Sequence, residues 1–362
     1  MNRSSKLVTQ YSMQHYRKAL VLFALFVQLS SGLLNFFPGV GKKGGVMTTK
    51  VVAVTGSTGL VGSQLVKRLE AKGATVRRIT TGAVPAGSSN YIKWDPRAGA
   101  LDAAAFSGCD AVVHLAGENI ASGSFEPFET PFSLLGAWTK AKKEKIAGSR
   151  VDGTRLVVDT INKIPSSTRP RVLVCASAVG FYGFDNSERV YTEEFLQGEG
   201  FLAQVVRDWE SEALKASCRT VCARFGVVLS TQGGVVAKLA PLFKLAAGGN
   251  LGTGQQGFSW VSVDDAVRAI EFALEKNSVT GPVNVVAPQP STNADFTRAL
   301  AAAVQRPAIV PVPQFVGDVV FGEMGREVLF GGQKAAPAKL TAAGFKFSDV
   351  DLGATLKRLM SA

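Results

Sequence analysis

Residues Lys50 to Gly62 read K-V-V-A-V-T-G-S-T-G-L-V-G, and no other stretch restricts the fold as strongly. Val51, Val52, Ala53 and Val54 form a short apolar run, the pattern of a strand buried on both faces of a parallel sheet. A helical spacing of apolar residues follows almost at once, through Leu60, Val61, Leu65, Val66 and Leu69. Strand, glycine turn and helix in direct succession make the first half of a βαβ unit. There Gly56 permits the tight turn, Gly59 lets a pyrophosphate approach the backbone, and Gly62 lets helix and strand pack closely. The free amides that open the helix then face the phosphates, so Gly56, Ser57, Thr58, Gly59, Leu60 and Val61 are the expected cradle of a dinucleotide. The spacing is G-x-x-G-x-x-G rather than G-x-G-x-x-G, and the chain has 38 glycines in all. Its placement between strand and helix is therefore what supports the reading.

At 362 residues the chain can hold one large domain or two smaller ones. The net charge of +12 suggests a nucleic-acid surface until it is located. Residues 1–46 contain six basic residues and no acidic one, which leaves 34 basic against 28 acidic residues in the remainder. That balance is ordinary, and no nucleic-acid partner is expected. Residues 1–46 read as an addition before the first strand: a basic start, an apolar run from Ala19 to Phe26 that continues to Phe37, and small residues at Ser30-Ser31-Gly32. This resembles a secretory signal, and the acid-free stretch to Gly45 suits a second, transit-type address, as in signal-plus-transit plastid leaders. The rival is a retained anchor and membrane association through residues 19–37, since that run approaches the ~20 residues that span a bilayer. Cys109, Cys175, Cys218 and Cys222 are too scattered for a disulfide framework, and with two histidines in the chain no metal site is expected.

Further strands are expected at Ala74–Thr80, Tyr91–Trp94, Asp110–Leu115, Arg171–Ala176, Thr220–Leu229 and Pro282–Val286. The end of the second strand reads V-R-R-I-T-T, with no acid to accept from a ribose 2′-hydroxyl. Arg77, Arg78, Thr80 and Thr81 suit a 2′-phosphate, which favours NADP(H) over NAD; alternatively the arginines merely cap an exposed strand end. After the fourth strand, Ala116 and Gly117 are small enough for a close approach to the cofactor. His114 reads as a core histidine in preference to a proton donor. Residues 122–136 form a long loop with the character of a lid. In the helix expected over Trp138–Ile164, Lys140, Lys142, Lys143 and Lys145 read as a solvated face, and Arg150 as a partner for a diphosphate. Ser177 and Tyr182 follow the fifth strand, where ligands of open parallel sheets bind. Asp264 and Asp265 suit a helix N-terminus. The expected organisation is a leader or anchor (1–46), a Rossmann-type doubly wound α/β core (47–232, with 259–287 returning to it) and a small carboxyl-terminal α/β substrate lobe (233–258 and 288–362).

These landmarks resemble the extended short-chain dehydrogenase/reductase superfamily, and within it the atypical YfcH-like branch of the NAD-dependent epimerase/dehydratase family. The matching stretches are T-G-S-T-G-L-V-G (55–62), V-V-H-L-A-G-E-N-I (112–120), S-R-V-D-G-T (149–154), S-A-V-G-F-Y-G (177–183), R-F-G-V-V-L-S (224–230) and F-S-W-V-S-V-D-D (258–265). The resemblance implies a Rossmann core, a small substrate lobe, bound NADP(H), and cofactor contacts at Thr80, Thr81, Leu115, Ala116, Arg150 and Val228. Relatives often place Arg at the position of Thr81, which leaves the NADP preference to Arg77 or Arg78.

Extended members of the superfamily use a Y-x-x-x-K pair in the helix after the fifth strand. Aligning Glu210 with the glutamate usual after that motif puts Leu202 and Val206 at the tyrosine and lysine positions. Neither can move a proton. Three readings remain. In the first, Ser177 and Tyr182 are the catalytic pair of an NADP-dependent oxidoreductase or epimerase, with Lys142, Lys143 or Arg150 tuning the tyrosine, on an unidentified small carbonyl or hydroxyl substrate. In the second, the protein is a catalytically lapsed, NADP-binding regulator or scaffold, which fits the link that the resemblance suggests to plastid division. In the third, it is a membrane-tethered interaction partner.

Overall fold

The computed structural model describes residues 49–120, 138–184 and 186–361. The leader, the apolar run 19–37 and the loop 122–136 lie outside the described residues. No helix among the described residues is long and apolar enough to cross a membrane.

Seven strands form one parallel sheet: β1 (Val51–Thr55), β2 (Thr75–Thr80), β3 (Tyr91–Lys93), β4 (Ala111–His114), β5 (Val172–Ala178), β7 (Arg219–Phe225) and β10 (Gly281–Val285). Their spatial order is β3-β2-β1-β4-β5-β7-β10. In register, Val52 lies between Val76 and Ala111, and Thr55 between Ile79 and His114. The order reverses between β1 and β4, and ligands of such sheets bind in the crevice at that switch point.

The apolar run in β1 explains both layers. Val52 and Val54 face α1 (Leu60–Ala71) and pack with Leu65, Val66 and Leu69. Ala53 faces the opposite way and packs with Val157 and Ile161 of α2 (Lys140–Asn162) and Trp209 of α3 (Phe201–Ala213). All three β1 residues are fully buried, so neither face tolerates a polar residue. Truncating one such leucine, Leu65→Ala, would cost about 2–5 kcal/mol.

The run expected as one strand from Thr220 to Leu229 is broken at Gly226. A Cβ there would sit 2.6 Å from the Ser259 carbonyl oxygen, and the chain leaves the main sheet. It continues as β8 (Val227–Leu229), which pairs with β9 (Trp260–Ser262). Helix α4 (Gly234–Lys244) lies between those two strands in sequence, and α5 (Val263–Glu275) follows them. The cap of α5 is Ser262, whose hydroxyl accepts from Asp265 N at 3.1 Å. Asp265, expected as a cap, instead accepts from the amides of Ser348 and Asp349 and pairs with Arg268.

The carboxyl-terminal part divides. Helices α6 (Asn293–Ala303) and α9 (Leu352–Ser361) share an apolar cluster with Trp260 and Phe243. Helix α7 (Gln314–Met324) runs into a π-turn, Gly325–Leu329, and packs on Trp138. Leu340 of α8 (Ala338–Ala342) and Phe345 are buried in the main core beside α5. A second short pairing joins β6 (Val190–Tyr191) to β11 (Lys334–Ala335).

Candidate functional site: the crevice at the β1–β4 switch point

Gly56 turns the chain out of β1 at φ +66°, and a Cβ on it would lie 2.8 Å from the Leu115 carbonyl. The two strand ends are therefore in backbone contact, and Thr55 ties them further. Its Oγ1 accepts from the amides of Leu115 (3.1 Å) and Ala116 (3.2 Å). Two donors on that oxygen direct its own proton to His114 Nδ1, 2.7 Å away. The imidazole proton then sits on Nε2, edge-on to Trp94 with ring centroids 6.0 Å apart. Burial holds the His114 pKa at about 4, so the ring is neutral. His114 is a core residue that fixes β1 to β4.

Helix α1 opens at Gly59 with no side-chain cap and no acidic residue in its first turn. The positive end of its dipole is thus left for an external anion. Among the described residues only Gly56 O comes within 4 Å of an added Cβ on Gly59, at 3.3 Å. Gly62 differs: its Cβ would be 2.1 Å from Gly56 O, so the helix presses directly on the turn. Thr58 is exposed there and Ser57 is buried, while Leu60 and Val61 are intermediate. Across the mouth, Cβ atoms on Gly233 and Gly234 would come within 3.3 and 3.5 Å of the Leu60 side chain, and Gly234's would be 3.2 Å from Val228 O. Leu60 and Val228 consequently share one wall.

At the end of β2 the arginines diverge, as successive strand residues must. Arg77 donates to the carbonyls of Ala104 (3.2 Å) and Ser107 (2.8 Å), on the face away from α1. Arg77 thus commits Nη1 to a turn, and the structure brings it less directly to the end of β2 than Arg78. Arg78 lies on the α1 face with Thr80, pairs with Glu70 at 2.6 Å and stacks over Tyr91. Thr80 Oγ1 accepts from Gly82 N at 3.1 Å, and Thr81 is exposed.

The opposite wall is built from the end of β4 and from α2. Arg150 lies over Gly117, whose added Cβ would be 3.5 Å from Cζ, and over the Trp209 ring. It donates to the carbonyls of Glu118 (3.0 Å) and Ile146 (3.3 Å), and burial lowers its pKa to about 10. A desolvated guanidinium that bonds only carbonyls suits a further anionic partner. Lys142, expected on a solvated face, is buried: with Ile146 and Arg150 it falls at i, i+4 and i+8 on the inward stripe of α2. Its ammonium bonds Glu118 Oε1 at 2.6 Å. Lys140 and Lys145 remain exposed.

Ser177 and Tyr182 meet a different fate. Ser177 Oγ donates to Glu210 Oε1 at 2.5 Å, and Glu210 forms a two-pronged pair with Arg224 (2.8 and 2.7 Å). Arg224 also donates to the Tyr182 hydroxyl at 3.0 Å, and that hydroxyl donates to Asn284 Oδ1 at 2.7 Å. Burial raises the Tyr182 pKa against the pull of Arg224, and its side chain is 2% exposed. Asn284 Nδ2 continues the chain of bonds by donating to Ala336 O at 2.9 Å, and its backbone N–H donates to Glu193 Oε1 at 2.9 Å. The expectation of a free catalytic pair is corrected: both hydroxyls give their protons to buried partners in a network that joins β5, β7 and β10 to the carboxyl-terminal segment. The cation beside Tyr182 is Arg224, not Lys142, Lys143 or Arg150. Arg224, which interrupts the apolar stretch from Val221 to Phe225, was the available sequence signal. At the places of the usual tyrosine and lysine, Val206 is buried and Leu202 packs 3.8 Å from an added Cβ on Gly180.

This geometry defines a dinucleotide-binding α/β protein of the short-chain dehydrogenase type. Residues 52–130 match the NAD dependent epimerase/dehydratase family, and residues 312–359 match a domain of unknown function, DUF1731. An epimerase family protein of Mycobacterium bovis is 40% identical over 313 residues, covering 86% of this chain and 97% of that one. The epimerase family protein SDR39U1 homolog, chloroplastic, of Arabidopsis thaliana is 38% identical, covering 82% of each. Among solved structures, human epimerase family protein SDR39U1 with NADPH aligns at a TM-score of 0.75 and 33% identity, over 86% of this chain and 99% of that one. The chain belongs to the NAD dependent epimerase/dehydratase family, among the SDR39U1-like epimerase family proteins.

Proposed function

We propose that the protein binds NADP(H) at the β1–β4 crevice and is an NADP(H)-dependent oxidoreductase or epimerase acting on a small carbonyl or hydroxyl compound. The observation that supports it best is the pairing of an uncapped, acid-free α1 N-terminus with the Arg150 guanidinium held over Gly117. The diphosphate would rest on the amides from Ser57 to Val61, with Leu115–Gly117 and Val228 closing on the nucleosides and Thr80, Thr81 and Arg78 at the 2′-phosphate. When bound, the nicotinamide supplies or accepts a hydride. The human relative solved with NADPH favours this cofactor. Mixing the protein with NADPH should give energy transfer from tryptophan to the nicotinamide and a raised melting temperature, with a weaker response to NADH. No response to either nucleotide would defeat the reading.

A second reading, a cofactor-binding regulator without catalysis, is favoured by one observation: Leu202 and Val206 replace the proton-moving pair while Ser177 and Tyr182 are locked in the core. For location, a plastid address in residues 1–46 is supported by their acid-free composition and by the chloroplastic name of the Arabidopsis relative. A fluorescent-protein fusion of residues 1–46 that stays outside plastids would refute it.

A further inference from the structure

We infer that Glu118 is the proton-transferring catalytic residue of this crevice and that Lys142 positions it. The inference rests on the oxidoreductase reading above and supplies the group that the missing Y-x-x-x-K pair leaves unassigned.

The loops that follow β1, β4 and β5 are where a ligand of this sheet binds. Among their described residues only Glu118 and Tyr182 carry an acidic side chain: 56–59 is G-S-T-G, 115–120 is L-A-G-E-N-I and 179–183 is V-G-F-Y-G. Tyr182 is saturated by Arg224 and Asn284. Glu118 is not saturated. Its backbone is fixed on both sides, the amide donating to Ser149 Oγ at 3.0 Å and the carbonyl accepting from Arg150 at 3.0 Å. Lys142, 5% exposed, clamps Oε1 at 2.6 Å. Oε2 bonds no described residue, and the side chain is 39% exposed immediately after the Ala116–Gly117 segment. One oxygen is thus anchored and the other presented, which is the geometry a general base requires. Lys142 is buried on the inward stripe of α2, so its ammonium is held in place and fixes the carboxylate it pairs with. It thereby orients the acid. Among the described residues the charged groups that face Glu118 are Lys142 and Arg150, both from α2, while α3 presents the uncharged Trp209 beside Arg150.

The step balances. In the oxidative direction, Oε2 of Glu118 takes the hydroxyl proton of an alcohol while the carbinol C–H passes as hydride to oxidised NADP. The O–H and C–H bonds break, the C=O bond forms, the nicotinamide is reduced and the proton rests on Glu118. In the reductive direction, protonated Glu118 returns that proton to the carbonyl oxygen as the hydride arrives at carbon. Lys142 touches no reacting atom and acts through Glu118.

The test uses the full chain, NADPH and three carbonyl probes: phenanthrenequinone, benzil and nitrobenzaldehyde. The wild type should reduce at least one probe, with kcat falling as pH rises through one ionisation. Glu118→Gln should lower kcat about 100-fold or more and abolish that pH limb. Its NADPH affinity should stay within error, and its melting temperature should fall no further than that of Lys142→Met, since both variants remove the same ion pair. Glu118→Asp should retain part of the rate with the limb displaced, and Lys142→Met should lower kcat with little change in KM. A Glu118→Gln protein that keeps its rate and its pH limb overturns the proposal and leaves the NADP(H) reading intact. A wild type that binds NADPH yet reduces none of the probes also overturns it and favours the regulator reading. A wild type that binds no NADPH removes the parent reading, and this one with it.

Discussion

The two later glycines of the turn allow shape and function to be separated. In Gly59→Ala the backbone is already suited to alanine, at φ −71° and ψ 173°, and the new methyl meets only Gly56 O at 3.3 Å. The weaker N-cap costs a few tenths of a kcal/mol to about 1, and the stiffer unfolded chain returns about 0.4–1, so stability should move by less than about 1 kcal/mol. The methyl points into the space where the diphosphate would lie. Displacing the phosphate from even one amide removes a charge-assisted bond of about 1.5–3 kcal/mol, which weakens NADPH about 10- to 100-fold. In Gly62→Ala the order reverses. Its methyl would be 2.1 Å from Gly56 O and 2.9 Å from Gly56 C, both backbone atoms that cannot rotate aside. Helix α1 must move outward, which disturbs the contacts of Leu65, Val66 and Leu69 with β1. Overpacking of this kind costs about 1–3 kcal/mol, against a gain of up to about 1 from alanine's helix propensity. Thermal unfolding with and without NADPH, and titration of NADPH fluorescence, read both effects. If Gly59→Ala binds NADPH within about threefold of wild type, no diphosphate lies over this helix. If Gly62→Ala melts like wild type, the contact at Gly56 is not tight.

Other substitutions probe the remaining parts. Glu210→Ala strands the Arg224 guanidinium in a site where both side chains are at most 6% exposed, and should cost about 3–5 kcal/mol in denaturant unfolding. Combined with Arg224→Met, the loss should be smaller than the sum of the two single losses; additive losses would show that the pair is not coupled. Arg78→Ala should weaken NADPH about tenfold and leave NADH unchanged, and equal losses for both would remove Arg78 from the 2′-phosphate. His114 yields a pH dependence of defined sign. Its folded pKa of about 4 lies below the ordinary 6.5, so the unfolded chain binds the proton first as pH falls. Its contribution is complete above pH 6.5 and is lost progressively down to about 4, by about 3 kcal/mol in all. His114→Gln should flatten that part of the stability–pH curve. An unchanged slope would mean that other groups cause it.

The sheet was legible because its strands announce themselves locally. Runs such as V-V-A-V and V-L-V-C are apolar on both faces and stop at glycine or polar residues, and the central strands β1, β4 and β5 fall where those runs are, while β2 and β3 at the edge carry polar residues. What sequence missed depends on distant neighbours. The break at Gly226 is imposed by the backbone of Ser259, and the arginine in β7 is explained only once Glu210 of α3 is placed against it. Ser262 rather than Asp264 or Asp265 caps α5 because Asp265 is drawn to amides 83 and 84 residues further along the chain. Tyr182 stands where ligand chemistry was expected, yet partners 42 and 102 residues away in sequence turn its hydroxyl inward. Lys142 was hidden by its type: a lysine among lysines reads as solvated until the helix phase shows it in line with Ile146 and Arg150.

Helix α3 shows what became of the position that carries the tyrosine in extended relatives. It opens at Gly200 with no side-chain cap, so its first amides need a partner. Glu327, from the π-turn after α7, provides one, accepting from Phe201 N at 2.8 Å and Leu202 N at 2.9 Å. Nearby, Lys143 pairs with Glu323, and Trp138 stacks edge-on against Phe201. The carboxyl-terminal segment is therefore fastened to the helix start that would otherwise present a catalytic hydroxyl, and an apolar Leu202 is what that junction can accommodate. Because α3 serves docking here, its described residues Leu202 and Val206 offer no group for proton chemistry, and the proposal places that chemistry at the end of β4. Glu327→Gln separates the two roles: it removes the charge at the α3 N-terminus while leaving Glu118 untouched. It should lower stability by about 1 kcal/mol and leave the pH limb of turnover in place. Loss of that limb in Glu327→Gln, with Glu118→Gln unaffected, would return the chemistry to α3.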